Sequence, residues 1–436
     1  MTRFLAPVTI AGLLLTAACS RSNLFALPNG HFGTGGAGGA GGAGGAGGAG
    51  GAGGAGGAGG AADGWPCPLT LDGPVGVAGG GNFAQRQPRL AYSSDTRLTV
   101  TLAMEWTVGA SSPSELRHTT FNPWGTWPTS PLGLSFRASF DSGVSFAIAQ
   151  APMNRFALAM SDGGKPASPD GILFDPAVVP GSGDIPAVQP IDEGARVAFM
   201  ASNGDRYLVG LEDSDFSMPS SVRTVTNLGS SLVLGTRWPL ACGTNPSADA
   251  TATTDGWWVV TSAVEGTFGS VDCAAVANTA PNRVYVGRVN VGLGIPALGT
   301  LLGATGTVRH VVIESLADGD PWFGWLDDAG AHVARLDRTT GAVAVGPVAV
   351  PAAPSDDRLA VMPFLGGALV ARGTDGSVTY VGPDGTLSTP LALEGLAAAS
   401  VVDALASPTG DAALLTLAIS DAPDRVQVAR LRCRTP

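Results

Sequence analysis

Short apolar runs separated by turn residues fill the chain from Asp63 onward. The runs are rich in valine, leucine, alanine and aromatic residues, as in RLTVTLAMEW, GWWVVTSAV and RVYVGRVNVG. Turn dipeptides lie between paired runs, for example Asn203-Gly204 and Asp384-Gly385, and such dipeptides are typical of tight hairpins. No stretch keeps the 3.6-residue apolar period that an amphipathic helix requires. The pattern therefore predicts an all-β chain.

The runs recur at a spacing that suits a repeat fold. Their centres lie roughly 40 to 70 residues apart, and a four-stranded propeller blade takes about 40 to 50 residues, with insertions lengthening some blades. The centres are Leu90, Leu158, Phe199, Trp258, Trp322, Leu369 and Leu414. We predict one β-propeller domain over residues 63–436 with seven blades, and the spacing leaves six or eight blades open.

The first 19 residues, MTRFLAPVTIAGLLLTAAC, have the parts of a secretory signal. Arg3 precedes an apolar stretch that is shorter than the ~20 residues needed to span a bilayer. The segment LTAAC resembles the bacterial lipobox, whose cysteine receives a diacylglycerol and becomes the new N-terminus after cleavage. Thr16 departs from that pattern, where leucine is usual, so secretion without lipid after Ala18 is the alternative. We expect a signal peptide over residues 1–18 and a lipidated Cys19.

Residues 19–62 form a low-complexity segment with nine uninterrupted Gly-Gly-Ala triplets. Such a segment cannot bury enough apolar surface to offset the entropy of ordering it. A Gly-rich coil of about 43 residues has a root-mean-square span of roughly 35 Å. The run resembles the glycine-rich linkers of envelope lipoproteins from myxobacteria and their relatives, and the resemblance covers only about the first 62 residues. We predict a disordered tether.

The four cysteines beyond Cys19 are an even number in a chain predicted to be exported, which predicts two disulfides. Three pairings are possible. We expect Cys67 to pair with Cys433, because these residues bracket the domain and their bond would staple a propeller ring shut. We expect Cys242 to pair with Cys273 within one local segment. No Cys-x-x-Cys or His-Cys grouping indicates a metal site.

The segment SFDSGVSF, from Ser139 to Phe146, resembles the Asp-box of sialidase-type and other propellers. Ser145 and Phe146 stand where that motif has threonine and tryptophan. The resemblance implies a hairpin in which Asp141 accepts hydrogen bonds from turn amides, Gly143 takes positive φ and Phe146 packs beneath. It does not imply sialidase activity, because the Phe/Tyr-Arg-Ile-Pro motif of those enzymes is missing from the sequence.

Composition and missing motifs argue against nucleic-acid binding and against two classes of hydrolase. The chain has 24 basic and 35 acidic residues and a formal net charge of −11, with no arginine cluster. This balance argues against a nucleic-acid partner, which would need a concentrated positive surface. After Asp63 the sequence contains neither a Gly-x-Ser-x-Gly elbow nor a His-Glu-x-x-His motif. We expect no catalysis, and a propeller enzyme acting on envelope or extracellular polysaccharide is the alternative.

Two acidic pairs have the oxygen ligands that calcium prefers. Asp318 with Asp320 and Asp213 with Asp215 each lack the rest of a calcium loop, so we expect no cofactor and no metal. His310 and Glu314 lie four residues apart in a predicted strand, which separates them by about 13 Å, too far to share one ion.

The loop FNPWGTWP carries the candidate binding residues Trp124 and Trp127. Exposed tryptophans offer stacking faces to sugars or apolar groups, and packing between blades is the alternative. We predict a monomeric, lipid-anchored binding or scaffold module with a glycan or protein ligand. Ser20, after the lipidated cysteine, favours the outer membrane by analogy with enteric sorting. A soluble secreted or periplasmic protein and a structural or adhesive surface protein are the alternatives.

Overall fold

The computed structural model of the protein describes residues 64–434, with gaps. The predicted signal peptide, Cys19 and the tether lie outside the described residues. The gaps within the range are 78–82, 94–95, 109–113, 141–143, 152–154, 163–171, 179–188, 193–194, 214–216, 228–231, 245, 291–295, 318, 353–355, 374–375, 394–398 and 420–421. In the described part, no helix has the length and hydropathy needed to cross a bilayer.

The described strands form seven four-stranded antiparallel sheets, numbered here along the chain. The first strand, β1, spans Leu69–Gly76 and belongs to the last sheet. Sheet 1 contains β2 Phe83–Tyr92, β3 Val100–Val108, β4 Ser114–Phe121 and β5 Ser135–Phe140. Sheet 2 contains β6 Val144–Ala151, β7 Arg155–Asp162, β8 Ile172–Val178 and β9 Gln189–Asp192. Sheet 3 contains β10 Ala195–Asn203, β11 Arg206–Asp213, β12 Ser220–Asn227 and β13 Leu232–Ala241.

The remaining sheets repeat this arrangement. Sheet 4 contains β14 Ala248–Thr253, β15 Gly256–Ala263, β16 Arg283–Asn290 and β17 Pro296–Gly303. Sheet 5 contains β18 His310–Glu314, β19 Trp322–Asp327, β20 Gly330–Leu336 and β21 Val343–Val350. Sheet 6 contains β22 Leu359–Phe364, β23 Gly367–Arg372, β24 Ser377–Val381 and β25 Leu391–Ala392. Sheet 7 contains β26 Ala399–Ala406, β27 Ala412–Ile419, β28 Ala422–Cys433 and β1.

The sheets close into a ring. The first strand of each sheet contacts the first strand of the next, from β2 through β6, β10, β14, β18, β22 and β26, and β26 contacts β2. Radial repetition of four-stranded sheets about an axis is the β-propeller architecture. The prediction of an all-β propeller is confirmed, and the sheets fall within the range of six to eight that the spacing allowed.

Burial explains why many strands read as continuous apolar runs. The sheets pack face against face, so their inner strands are covered on both sides, and every residue of β15, β22 and β23 is buried. The outermost strand β21 is partly exposed along its length. The apolar core lies in the seams between sheets. Val260 of sheet 4 and Trp325 of sheet 5 share one cluster, for example.

Sheet 7 closes the ring with strands from both ends of the domain. Strand β1 lies outermost and pairs with β28, in the register Leu69 with Cys433. A Cys67–Cys433 disulfide joins the segment just before β1 to the end of β28, with 5.7 Å between the Cα atoms, an ordinary separation for a disulfide. The predicted pairing is confirmed.

The second disulfide fixes a long connection in sheet 4. Residues 264–282 link β15 to β16, and Cys273 in this connection is bonded to Cys242, which follows β13 of sheet 3. The main-chain N–H of Cys273 also donates to Ser217 O, in the β11–β12 connection of sheet 3, at 3.3 Å. The disulfide therefore pins the connection across the seam between the two sheets, and this predicted pairing is confirmed as well.

The hairpin implied by the Asp-box resemblance is wrong. Ser139 lies in β5, the outermost strand of sheet 1, whereas Phe146 lies in β6, the innermost strand of sheet 2. The segment therefore crosses from one sheet to the next instead of turning back within one sheet. Phe146 is buried opposite Met160, while Asp141 and Gly143 fall outside the described residues.

Candidate functional site

The tryptophans of the loop after β4 are half-buried and hydrogen-bonded. Trp124 and Trp127 pack against a core cluster. The indole N–H of Trp124 donates to Arg97 O at 3.0 Å, and that of Trp127 donates to Gly73 O at 2.9 Å. Because Gly73 belongs to β1, the loop joins sheet 1 to sheet 7. These contacts give both side chains a structural role, and their ligand-binding role stays a prediction.

Arg430 of β28 holds the same loop from the other side. Its guanidinium donates to Pro123 O and to Gly125 O, the latter at 2.8 Å, and lies 5.2 Å from the centroid of the Trp127 ring. Its Nε donates to Asp72 Oδ2 at 2.6 Å. The hydrogen bonds from Arg432 and Arg430 hold the pKa of Asp72 below its usual value, although burial opposes them.

Buried carboxylates on the innermost strands link neighbouring sheets. Asp249 of sheet 4 accepts the main-chain N–H of Ile313 in sheet 5, and Asp403 of sheet 7 accepts that of Leu90 in sheet 1, both at 2.9 Å. These carboxylates are fully buried. They satisfy amides at the inner edges of adjacent sheets, where a buried N–H without a partner would be costly.

Only one residue of each predicted acidic pair belongs to the part of the chain that the structure describes. Asp215 and Asp318 lie outside the described residues. Asp213 forms an ion pair with Arg237, and Asp320 lies 3.8 Å from Arg335 Nε. In the part of the chain that the structure describes, no group of three His, Cys, Asp or Glu side chains is arranged to hold a metal ion.

His310 and Glu314 are both buried in β18. The His310 ring lies 3.1 Å from Leu359 O on the inner strand of sheet 6. This contact links sheets 5 and 6 at the centre of the propeller.

A cleft opens in the seam between sheets 4 and 5. We call it the seam cleft, and its volume is about 310 Å³, at the small end of the range for small-molecule sites. Three connections and three strands, β14, β15 and β16, form its wall. The lining residues are Ala252, Thr253, Thr254, Asp255, Trp258, Arg288, Ser315, Ala317, Gly319, Pro321, Arg338 and Thr339.

Two donor groups in the seam cleft lack hydrogen-bond partners in the described structure. Trp258 is only 5% exposed, and its indole N–H is buried without an acceptor. The Nε–H of Arg288 is buried and also has no acceptor. The Arg288 guanidinium carbon lies 5.9 Å from the centroid of the Trp258 ring. Buried donors are almost always satisfied in folded proteins, so these two groups mark a place where an acceptor is missing.

Asp255 forms an ion pair with the Arg288 guanidinium through Oδ1 and Nη2, the nitrogen next to the Nε–H without an acceptor. The Asp255 side chain is 61% exposed and the Arg288 side chain 27%. The carboxylate therefore stands at the mouth of the cleft and the guanidinium below it. Thr253 supports the carboxylate by donating its hydroxyl to Oδ1 at 3.3 Å.

Neighbouring elements fix the connections that carry these side chains. Asn203 of sheet 3 donates its amide to Thr253 O at 2.9 Å and to Gly256 O at 3.3 Å, which braces the turn carrying Asp255. On the opposite wall, Thr339 and Thr340 donate their main-chain N–H groups to Asp337 Oδ1 at 2.9 and 2.7 Å.

The hydrogen bonds from Thr340 and Thr339 also hold the pKa of Asp337 below its usual value. Gly341, at φ +71°, ends this connection against the Trp258 ring, where an added Cβ would lie 2.7 Å from Cη2. Hydrogen bonds and packing within the protein therefore hold both walls of the seam cleft in place.

The chain is similar to solved structures at low sequence identity. A protein of unknown function from Dyadobacter fermentans is 12% identical, with a TM-score of 0.45, over 84% of this chain and 99% of that chain. The Cps50 (Swd1) β-propeller domain of Myceliophteria thermophila is 10% identical, with a TM-score of 0.45, over 83% and 99% of the two chains. Chaetomium thermophilum Sqt1, solved with the N-terminus of ribosomal protein L10, is 12% identical, with a TM-score of 0.46, over 80% and 96%. No protein-family model and no curated protein sequence matches the chain.

The seam cleft does not follow from the sequence alone. In the sequence, Trp258 reads as a core residue of a strand, and it does pack in the core cluster between sheets 4 and 5. Neither Arg288 nor Asp255 belongs to a recognisable sequence motif. The turn TTDG before GWW was the one local signal, because it predicts a carboxylate at the end of a hairpin two residues before the tryptophan pair.

Proposed function

We propose that the protein is a binding module whose propeller takes a small hydroxylated ligand, a saccharide, in the seam cleft. The observation that carries the proposal is the buried Trp258 indole N–H without an acceptor in a cleft of about 310 Å³. Hydroxyl groups of Thr253, Ser315 and Thr339 lie among the lining residues. A tryptophan in a cleft lined by hydroxyl-bearing and guanidinium side chains is a combination that suits a sugar ring.

The site supports binding better than catalysis. Two of the fully buried carboxylates, Asp249 and Asp403, are engaged by main-chain amides of neighbouring sheets. Asp255, the acidic residue of the cleft, is paired with Arg288. We therefore propose that the protein is not an enzyme and works without a cofactor. Turnover of envelope or extracellular polysaccharide by the purified protein would contradict this proposal.

We further propose that the protein is monomeric and is held at the cell envelope, in the outer membrane, by lipid on Cys19. The support is the LTAAC segment and the glycine-rich run after it. Labelled palmitate should enter the wild-type protein and not the Cys19→Ala variant. Equal labelling of the two proteins would overturn the anchor, and release of unlabelled wild-type protein would favour the soluble alternative.

Saccharide binding is tested with the purified full-length protein and an array of envelope and extracellular oligosaccharides. Trp258→Phe keeps the aromatic ring and removes the N–H, so we expect affinity to fall about tenfold, which is the worth of one hydrogen bond to a buried donor. Trp124→Phe is the matched control on another loop and should leave affinity within about twofold. Binding that is lost with Trp124→Phe and kept with Trp258→Phe would move the site to the loop after β4.

A further inference from the structure

Two N–H groups, on Nε and Nη2, point from the same edge of the Arg288 guanidinium, and only the one on Nη2 has an acceptor in the described structure. Its Nη2 holds Asp255, while the adjacent Nε–H has no acceptor. Nε–H and Nη2–H form the side-on edge of arginine, which binds both oxygens of one carboxylate in parallel. Asp255 uses Oδ1 alone for this contact, and the Thr253 hydroxyl donates to the same oxygen. The arginine edge in the seam cleft is therefore incompletely occupied.

Replacing Asp255 would cost little. Its side chain is already 61% exposed, so moving it into water removes little packing and leaves a well-hydrated carboxylate. Ion pairs that reach the solvent contribute little to stability. A ligand carboxylate that took its place would keep the charge of the Arg288 pair balanced and would satisfy Nε–H as well.

The whole lining favours a negative ligand once Asp255 has moved. Arg288 and Arg338 are the cationic groups of the cleft, and Asp255 is the carboxylate among the lining residues. With Asp255 turned to solvent, the lining around Trp258 would keep its two arginines and lose its carboxylate.

From this geometry we propose that the ligand of the seam cleft is a carboxylated saccharide of the uronic acid type. Its carboxylate binds the Nε–Nη2 edge of Arg288 in exchange for Asp255, and its ring lies beside Trp258. Asp255 thus acts as a built-in competitor for the arginine. The inference rests on the proposed saccharide-binding function and adds the acidic class of the sugar.

The experiment measures dissociation constants of the full-length protein for uronic-acid oligosaccharides and for neutral oligosaccharides of equal length. We expect the acidic series to bind about tenfold tighter than the neutral series. Asp255→Asn should tighten the acidic series about threefold or more and leave the neutral series within about twofold. Arg288→Gln should bring the acidic series down to the neutral affinity.

Asp205→Asn is the matched control, because Asp205 occupies the β10–β11 turn of sheet 3, is also paired with its neighbouring arginine, and is not among the residues that line the cleft. It should change neither series. Circular dichroism and thermal unfolding check that each variant is folded.

Neutral sugars that bind as tightly as acidic sugars, with no effect of Asp255→Asn, would overturn the carboxylate and leave the proposed function standing. An acidic preference that survives Arg288→Gln would likewise overturn the role of this arginine. Failure of every oligosaccharide to bind in a manner sensitive to Trp258→Phe would overturn the proposed function together with the inference.

Discussion

The Asp403 carboxylate in sheet 7 accepts the main-chain N–H of Leu90 in sheet 1 at 2.9 Å. Its other oxygen accepts the N–H of Ala404 at 2.9 Å. The contact ties the last sheet to the first at the centre of the ring, and Asp249 repeats it between sheets 4 and 5.

Asp403→Ala should lower the free energy of unfolding by about 2 to 4 kcal/mol, because it leaves buried amides without acceptors. Asp403→Asn keeps one acceptor oxygen and should lose less. Asp249→Ala is the matched variant at another seam, and urea unfolding measures all three. A change below about 0.5 kcal/mol for Asp403→Ala, as at an ordinary surface site, would contradict the role of the carboxylate.

The two disulfides should differ in their contribution to stability. Cys67 and Cys433 are 366 residues apart, and Cys242 and Cys273 are 31 apart. In the chain-entropy account, the longer loop contributes about 5 kcal/mol or more and the shorter loop about 3.5 kcal/mol. Thermal unfolding of the two double Cys→Ala variants checks the order. A larger loss from removing the Cys242–Cys273 bond would show that its local packing outweighs the loop length.

Acid should destabilise the domain through Asp327. Burial raises the pKa of this carboxyl, but hydrogen bonds from the Thr305 and Ala329 amides and from His332 outweigh it, so the folded pKa lies below 3.8. A lowered folded pKa gives stability that is complete above the unfolded pKa and is lost as pH falls through the folded pKa.

Asp327→Asn should be less stable at neutral pH and should lose less stability on acidification. Unfolding curves across the acid range measure the slope, and Asp205→Asn at an exposed turn is the control. Equal acid slopes for Asp327→Asn and the wild type would contradict this assignment.

Ionised Glu212 should destabilise the folded protein, whereas ionised Asp327 stabilises it. Burial raises its pKa from 4.5 to about 7, although Arg196 partly offsets the shift. A raised folded pKa gives stability that is complete below the unfolded pKa of 4.5 and is lost as pH rises through about 7. Because the side chain is only half-buried by surface area, we expect Glu212→Gln to add about 1 kcal/mol at pH 8 and little at pH 4. A stabilisation that does not depend on pH would contradict the prediction.

The loop after β4 should contribute to stability. Trp127→Ala removes the hydrogen bond to Gly73 and the ring below Arg430, which should cost about 1 to 3 kcal/mol for a half-buried aromatic residue. Trp127→Phe keeps the ring and should lose less. Chemical unfolding measures the cost, and saccharide binding to the seam cleft should stay within about twofold. An unchanged stability with lost binding would restore this loop as the ligand site.

Local signals in the sequence were enough for the strands and for both disulfides. The Asn203-Gly204 turn joins β10 to β11, and Gly204 takes φ +66° as such a turn requires. Cys67 and Cys433 bracket the domain, and a ring must bring its two ends together. The strands and turns depend on residues that are neighbours in the chain, and the Cys67–Cys433 pair depends only on the closure of the ring.

The candidate site depends on contacts that no local pattern encodes. The segment SFDSGVSF has the composition of a hairpin, but whether its two strands belong to one sheet is decided by packing of sheet 2 against sheet 1. Pairing of β15 with β16 brings Asp255 close to Arg288 within sheet 4, and Thr339 joins them in the wall of the seam cleft only when sheets 4 and 5 pack together. A missing acceptor for Trp258 is visible only after every neighbour is placed.

If lipid on Cys19 holds the protein at the envelope, as proposed above, the position of the Cys67–Cys433 bond has a mechanical consequence. Tension from such an anchor would enter the described domain just ahead of β1, at Trp65 and Cys67. Trp65 donates its indole N–H to Thr389 O at 3.0 Å, and the disulfide passes the load into β28. Without that bond, a steady pull would peel β1 from the sheet edge one hydrogen bond at a time. With it, β1 and β28 share the load as a covalent loop, so sheet 7 resists shear as a unit and the ring stays closed under load.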